Sequence, residues 1–103
     1  MKLIYLDSTK SDLAWYRTYY SSIFPAGARR AAVQYMLAIA NLADNPHIGQ
    51  LVAEGGVRKY SIPRIPFSIF YRVTEQHIEI IRIWDQRADP EKLGLHEEAT
   101  AFP

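Results

Sequence analysis

Positively charged side chains concentrate in the last third of the chain, and their types and spacing suit them for chemistry. Between residues 57 and 87 six cations stand against three acids, whereas the formal net charge of the whole chain is only +1. The cations are Arg58, Lys59, Arg64, Arg72, Arg82 and Arg87, and the acids are Glu75, Glu79 and Asp85. A locally basic surface of this kind can bind an acidic partner protein or a nucleic-acid backbone.

The sequence gives little support for a thiol, metal, cofactor or serine-hydrolase site. The chain has no cysteine, so it has neither disulfides nor a thiol nucleophile. Its histidines, His47, His77 and His96, lack the spacing of a metal site, and no phosphate-binding glycine loop or serine-hydrolase motif occurs. We therefore expect neither a metal ion nor a cofactor. No stretch approaches the roughly 20 apolar residues of a membrane span, so we expect a cytoplasmic protein without a membrane partner.

The strands that must position these cations follow a helical first half. Residues 3–6 have the composition of a short strand, and Thr9 and Asp12 have the spacing of a helix N-cap. A first helix is predicted to end at Pro25, and a second to extend from about residue 28 to residue 43 before Asp44-Asn45-Pro46. The predicted apolar face of the second helix comprises Ala28, Ala32, Tyr35, Met36, Ile39, Leu42 and Ala43.

Three β-rich runs follow Gly55-Gly56, with room for a brief strand at residues 50–53 before them. The runs are Val57–Ile62, Phe67–Val73 and His77–Trp84. In the last run, alternation places Ile78 and Ile80 on one face with Arg82 and Trp84, and Ile81 and Ile83 on the other. The pattern predicts an α+β fold in one domain, residues 1–103, with a C-terminal tail from residue 90. A helical hairpin would cover one face of a three-stranded antiparallel sheet, after an N-terminal strand.

These segments, in this order, resemble the RelE/ParE superfamily, the toxins of bacterial type II toxin–antitoxin (plasmid stabilization) systems. The resemblance is carried by residues 57–62, by Ile69-Phe70-Tyr71-Arg72-Val73 and by residues 78–90, whose Arg87-Ala88-Asp89-Pro90 ending is similar to the ParE-type branch. It implies a toxin that a cognate antitoxin neutralises, and that binds DNA sequence-specifically only through that antitoxin. RelE-like members cut messenger RNA in the ribosomal A site, whereas ParE-like members poison DNA gyrase.

The nuclease chemistry that the RelE branch implies can be compared with the residues. Cleavage by 2′-hydroxyl attack needs a base, and cations that hold the charge developing at phosphorus. The resemblance puts Lys59 on one lysine position of RelE-like enzymes and lets Arg87 serve as their late arginine. Ser61 and Ser68 occupy the positions of a second lysine and of an arginine. Each missing cation costs ~3 kcal/mol of transition-state stabilisation, so the pattern favours the ParE-like branch.

The late base that RelE-like enzymes carry has no clear counterpart. The resemblance puts Leu93 where a tyrosine is expected, and His96 is the alternative base. A ribosome-dependent nuclease that uses Lys59 and Arg87 therefore stays the rival prediction. A decayed toxin that only binds its antitoxin is the third.

Candidate contact residues come from the basic strands and from the aromatic residues, which are more numerous than so small a core needs. We expect the target to be bound by Arg58, Arg72, Arg82, Trp84 and Arg87. For Arg87 the alternative is an intramolecular pair with Asp85 or Asp89, and for the strand arginines it is a pair with Glu79. We expect the antitoxin to contact Tyr16, Tyr19 and Tyr20, and the alternative for these rings is packing in the core.

Overall fold

The computed structural model describes residues 1–95, and its first half is helical between two short strands. β1 spans Lys2–Tyr5, α1 spans Lys10–Thr18 and α2 spans Ala28–Asp44. A π-helical turn, Tyr19–Ile23, extends α1, and a 3-10 turn, Pro25–Gly27, leads into α2. His96 and most of the predicted tail lie outside the described residues. Neither helix within residues 1–95 has the length and hydrophobicity that a membrane crossing requires.

The second half supplies four strands. They are β2 (Gln50–Ala53), β3 (Val57–Ser61), β4 (Phe67–Val73) and β5 (His77–Asp85), followed by a 3-10 turn, Pro90–Leu93. The turn between β2 and β3 needs two residues of positive φ, which Gly55 and Gly56 provide at 76° each. The strands form one five-stranded sheet in the order β1-β5-β4-β3-β2. β1 lies parallel to β5, and the other neighbours are antiparallel.

This architecture confirms the predicted α+β fold. The three predicted strands form the antiparallel centre of the sheet, and β1 and β2 extend it at its two edges. Both helices pack on one face, where side chains of β4 and β5 meet the inner side of α2. The buried residues of this core include Ile69, Tyr71, Ile78, Ile80 and Ile83 on the strands and Ala31, Ala38 and Leu42 on α2. A smaller apolar cluster of Ala53, Val57, Phe70 and Leu93 lies on the other face, which we call the open face.

The predicted facing of β5 is wrong beyond Ile80, because the strand contains a β-bulge. Tyr71 pairs with Ile80 whereas Phe70 pairs with Arg82, so Ile81 is an extra residue on β5. The bulge reverses the alternation. Ile83 therefore joins Ile78 and Ile80 in the helical core, and Arg82 and Trp84 move to the open face with Phe70.

Two local predictions for the helices are also corrected. Thr9 precedes α1 but makes no N-cap bond, because its hydroxyl donates back to the Leu6 carbonyl at 2.7 Å. On α2 the buried face is centred on small residues that allow close contact with the sheet, and Met36, predicted to be inward, is 72% exposed. The helix is apolar on nearly all sides, so its periodicity alone does not identify the buried face.

Candidate functional site

The open face carries a cleft of about 560 Å³ beside the C-terminal turn. Its lining residues include Gln50, Lys59, Phe70, Trp84, Gln86 and Leu93. Cross-strand pairing produces this set, because Lys59 lies opposite both Gln50 and Phe70, and Trp84 lies opposite Ser68. The cleft thus contains Lys59, which was predicted to act if the toxin cuts RNA, and Trp84, which was predicted to bind the target.

Lys59 is the one cation among the described residues that line this cleft. Its Nζ lies 6.0 Å from the centroid of the Phe70 ring, at the outer limit of a cation–π contact. One ammonium group can hold a phosphate but cannot by itself supply both the charge stabilisation and the proton transfers of RNA cleavage.

Neutral polar groups adjoin the cleft, on the same face of the sheet as Lys59. Ser61 and Ser68 are direct cross-strand partners, and the Ser68 hydroxyl donates to the Ser61 hydroxyl at 3.3 Å. The side-chain amide of Gln86 donates to the Ser68 hydroxyl. Ser68 is fully buried. The two serines thus form a small hydrogen-bonded group at the positions where an RNA-cutting relative would carry a lysine and an arginine.

Arg82 lies on the open face but is used to hold three elements together. Its guanidinium is 4.9 Å from the Trp84 ring and donates from Nε and Nη2 to the two carboxylate oxygens of Asp12, at 2.8 Å each. Nη1 donates to the Leu93 carbonyl at 2.7 Å. The side chain of Arg82 is 17% exposed and that of Asp12 is 7% exposed. Arg82 therefore ties β5 to α1 and to the C-terminal turn.

Arg87 lies on the helical side, beyond the end of β5. Its guanidinium donates to both carboxylate oxygens of Asp85, at 2.9 and 2.8 Å, and to the Tyr19 hydroxyl at 2.8 Å. Its carbon Cζ lies 4.4 Å from the centroid of the Tyr19 ring. The intramolecular pair with Asp85, which the sequence left open, is therefore formed. The Arg87 side chain nevertheless remains 49% exposed.

Pairing shifts the pKa of both Asp85 and Arg87. Burial raises the pKa of Asp85, but hydrogen bonds from Arg87 and from the Trp15 indole outweigh this and lower the pKa to about 2. The same hydrogen bond to Asp85, with a smaller one to Tyr19, raises the pKa of Arg87 above its ordinary value. Both groups are therefore charged at neutral pH.

The remaining two arginine candidates have partners within the fold. Arg58 donates to the carbonyls of Gly49, at 2.7 Å, and of His47, at 3.3 Å, and so fixes the loop before β2. Arg72 donates to Glu79 on the next strand at 2.7 and 3.1 Å. Hydrogen bonds from Arg72 and then His77 lower the pKa of Glu79.

The predicted target-binding residues thus do not converge on one point. Arg72, Arg82 and Trp84 share the open face with Lys59, whereas Arg58 and Arg87 do not. Within residues 1–95 no three acidic or histidine side chains come together as metal ligands. The contacts of these residues with a target stay predictions, and His96, the alternative base, lies outside the described residues.

The helical side offers a different kind of surface. A groove of about 400 Å³ lies between β1, α1 and α2, lined by Tyr5, Leu13, Tyr16, Arg17, Ala32, Tyr35 and Met36. The hydroxyls of Tyr5 and Tyr35 are hydrogen-bonded at 2.6 Å. Beside it Val33, Met36 and Leu37, which we call the α2 crest, are 52%, 72% and 59% exposed. Sequence reasoning missed the crest, although α2 carries more apolar residues than one buried face needs.

The three tyrosines predicted to contact an antitoxin have different positions. Tyr20 is 8% exposed and packs against Phe67, with ring centroids 6.0 Å apart. Tyr19 is half-buried beneath Arg87. Only Tyr16 lines the groove. The core alternative therefore holds for Tyr20, and Tyr16 is the one of the three placed for contact in the groove.

Comparison with known proteins agrees with this architecture. The family model for the ParE toxin of the type II toxin–antitoxin system parDE matches residues 3–90. A solved structure of the chromosomal ParDE toxin–antitoxin system from P. aeruginosa superposes with a TM-score of 0.62 and 31% identity, covering 81% of this chain and 92% of that one. No curated protein matches the sequence significantly. The family match spans β1 to the end of the Arg87–Pro90 segment, and the chain therefore belongs to the ParE toxins of type II toxin–antitoxin systems.

Proposed function

We propose that this toxin acts by poisoning DNA gyrase, and that it does not cut messenger RNA. The observation that carries the proposal is the neutral serine pair beside the cleft on the open face, which hydrogen-bonds to the cleft residue Gln86. Ser61 and Ser68 bond to each other, and Gln86 bonds to Ser68, where an RNA-cutting enzyme needs cations. Gyrase is the target that the ParE-like branch implies.

The energetics disfavour the nuclease alternative. Removing one charge-assisted contact to a transition-state oxyanion typically costs ~10²–10³ in rate, so two neutral positions imply a loss of ~10⁴ or more. Arg87 could restore one charge only by leaving Asp85, whose pKa of about 2 reflects that pairing. Arg82 is bound to Asp12 in the same way. Lys59 alone would have to provide the chemistry.

The antitoxin partner follows from membership of a toxin–antitoxin family, and we propose that it covers the helical side. The groove between β1, α1 and α2 is almost entirely apolar, and the α2 crest adds three exposed apolar side chains next to it. A groove flanked by such a stripe fits an amphipathic helix, which would bury its own apolar face there. Tyr16 and the Tyr5–Tyr35 hydroxyl pair would then meet that helix directly.

A reconstituted reaction tests the gyrase assignment. Purified toxin is mixed with gyrase, ATP and relaxed plasmid, and both supercoiling and covalent gyrase–DNA cleavage complexes are measured. We expect supercoiling to fall and cleavage complexes to accumulate, and we expect the cognate antitoxin to reverse both effects.

Two results would contradict the proposal. Undisturbed supercoiling, together with codon-phased cleavage on translating ribosomes, would assign the nuclease function instead. Undisturbed supercoiling together with intact messenger RNA and normal growth would identify a decayed toxin that only binds its antitoxin.

A further inference from the structure

A third cavity, of about 270 Å³, shares no lining residue with the cleft or the groove described above. It is enclosed by the π-helical turn after α1, by the first turn of α2 and by residues 62–66, the loop between β3 and β4. Its walls include Tyr19, Tyr20, Phe24, Arg30, Arg64 and Ile65. No acidic residue is among the described residues that line it.

Two arginines of this cavity differ from the arginines of the sheet. Arg58, Arg72, Arg82 and Arg87 all donate to protein oxygens. Arg30 and Arg64 make no side-chain hydrogen bond and no ion pair with any residue in the described part of the chain. Their guanidinium groups are free to bind an anion. Arg87, which stacks on the Tyr19 ring, is paired with Asp85 and so leaves anion binding to these two arginines.

The backbone at Arg64 is unusual. Its φ of 68° makes it the one non-glycine residue of the described chain in the left-handed region. A long side chain there is strained, and asparagine or glycine would relieve the strain. Residues in such sparsely populated backbone conformations cluster at active sites and ligand-binding sites, so the conformation of Arg64 points to a binding role. Here Pro63 and Pro66 stiffen the loop on either side and hold Arg64 at the mouth of the cavity.

The aromatic wall of the cavity includes Phe24, whose ring packs closely against Gly27. Phe24 is 48% exposed, and its ring lies over Gly27 so closely that a Cβ there would be 2.3 Å from the ring. Tyr19 and Phe24 meet edge to face with centroids 6.3 Å apart, so nothing fits between them. Because Phe24 lines the cavity and is half exposed, its ring is available for a planar group to pack against.

We propose that this cavity binds a nucleoside phosphate, with the base on Phe24 and the phosphate held by Arg30 and Arg64. Aromatic faces stack nucleobases of any sequence, and the guanidinium fork matches the geometry of phosphate oxygens. The volume suits one base and one phosphate, and it is too small for a peptide helix. The site is independent of the gyrase assignment, because none of its residues belongs to the open face.

Calorimetric titration of the isolated toxin tests the site with three probes: adenosine monophosphate, adenosine and inorganic phosphate. We expect the monophosphate to bind at least about tenfold more tightly than either fragment, because only it uses both walls. Arg30→Ala and Arg64→Gly should each weaken it by about tenfold. Arg29→Ala removes the same charge from the neighbouring position outside the cavity and should leave the affinity unchanged.

Arg64→Gly separates binding from folding, because glycine suits a φ of 68° and the variant should unfold at the same temperature as the parent or above it. The proposal fails if the monophosphate shows no saturable binding. It also fails if inorganic phosphate binds as tightly as the nucleotide, or if Arg29→Ala weakens binding as much as Arg30→Ala does.

Discussion

At the scale of single residues, four of the chain's eight arginines, including all those predicted to bind the target, already have partners within the fold. Arg82 and Arg87 each give two or more hydrogen bonds to a buried carboxylate, Asp12 and Asp85 respectively. Such charge-assisted pairs are costly to break once one partner is buried. The exposed half of Arg87 can still touch a partner, but its guanidinium is held in place and is not a mobile catalytic group.

The Asp85 carboxylate makes stability depend on acid pH. Its pKa in the folded chain is about 2, below the ordinary 3.8, so the ionised form stabilises the fold above pH 3.8. That stabilisation is lost as the pH falls through about 2, and the shift corresponds to roughly 2 kcal/mol. Asp85→Asn should therefore lower the free energy of unfolding by roughly that amount at pH 7, measured by urea titration.

The stabilities of the two proteins should approach each other as the pH falls towards 2, where Asp85 becomes half-protonated in the folded parent. Asp7→Asn is the matched control, since the Asp7 side chain is 97% exposed and its removal should change stability by less than about 0.5 kcal/mol. A constant gap between parent and Asp85→Asn across this pH range would refute the assignment.

Lys59 provides the residue-level test of the nuclease alternative. If the toxin does not cut RNA, Lys59→Ala should leave growth arrest on induction unchanged. An enzyme that depends on Lys59 would lose ~10²–10³ of its rate. Growth curves at matched toxin levels measure this, and loss of both arrest and messenger RNA cleavage in the variant would favour the nuclease.

Much of the chemistry at this scale was visible in the sequence. The neutral pair Ser61 and Ser68 and the possible Asp85–Arg87 pair could be read from residue type and spacing. The partners of Arg58 and Arg82 could not, because they are backbone carbonyls and a carboxylate far away in the sequence. No local pattern predicts contacts that depend on which loop or helix packs nearby.

At the scale of elements, one ion pair joins α1 to β5. Asp12 accepts two hydrogen bonds from Arg82 and one from the Ile83 amide, so Asp12→Ala would leave three N–H groups without an acceptor. We expect a loss of about 3 kcal/mol or more in the free energy of unfolding, measured by denaturant titration. Asp12→Ala combined with Arg82→Met should recover much of it, because no unpaired charge remains. A loss under about 1 kcal/mol in the single variant would contradict this role.

The α2 crest is the element on which antitoxin binding is expected to depend. Met36→Glu and Leu37→Glu place a charge on exposed positions, so stability should change by less than about 0.5 kcal/mol. Affinity for the antitoxin should fall at least tenfold, as for a substituted interface hot spot worth about 2 kcal/mol. Gln76→Glu, in the exposed turn between β4 and β5, adds the same charge outside the groove and the crest and should bind normally in calorimetry. Unchanged affinity in both crest variants would move the interface elsewhere.

The elements themselves were largely predictable, and the exceptions have physical reasons. β4 begins and ends where alternation and hairpin signals place it, and the short strand at residues 50–53 forms as β2. The bulge at Ile81 was not predictable. In a strand with apolar residues on both faces, an extra residue does not visibly disturb the alternation of apolar and polar side chains. The inward face of α2 was misjudged at Met36 because that helix has two apolar sides, one for the sheet and one exposed.

At the scale of the whole molecule, the two sides of the sheet differ in character. The helical side presents an apolar groove and the α2 crest, suited to a partner that buries hydrophobic surface. The open face presents a cleft with one lysine and, beside it, a neutral hydrogen-bonded serine pair. Membership of the ParE family supplies the biological role, and the proposal that gyrase and not the ribosome is the target rests on that neutral pair.

The most direct test is a paired measurement in cells that express the toxin without its antitoxin. Gyrase-linked double-strand DNA breaks and the 5′ ends of messenger RNAs are measured in the same culture. We predict that DNA breaks accumulate while primer extension shows no codon-phased cleavage. Codon-phased cuts in messenger RNA with unbroken DNA would contradict the account.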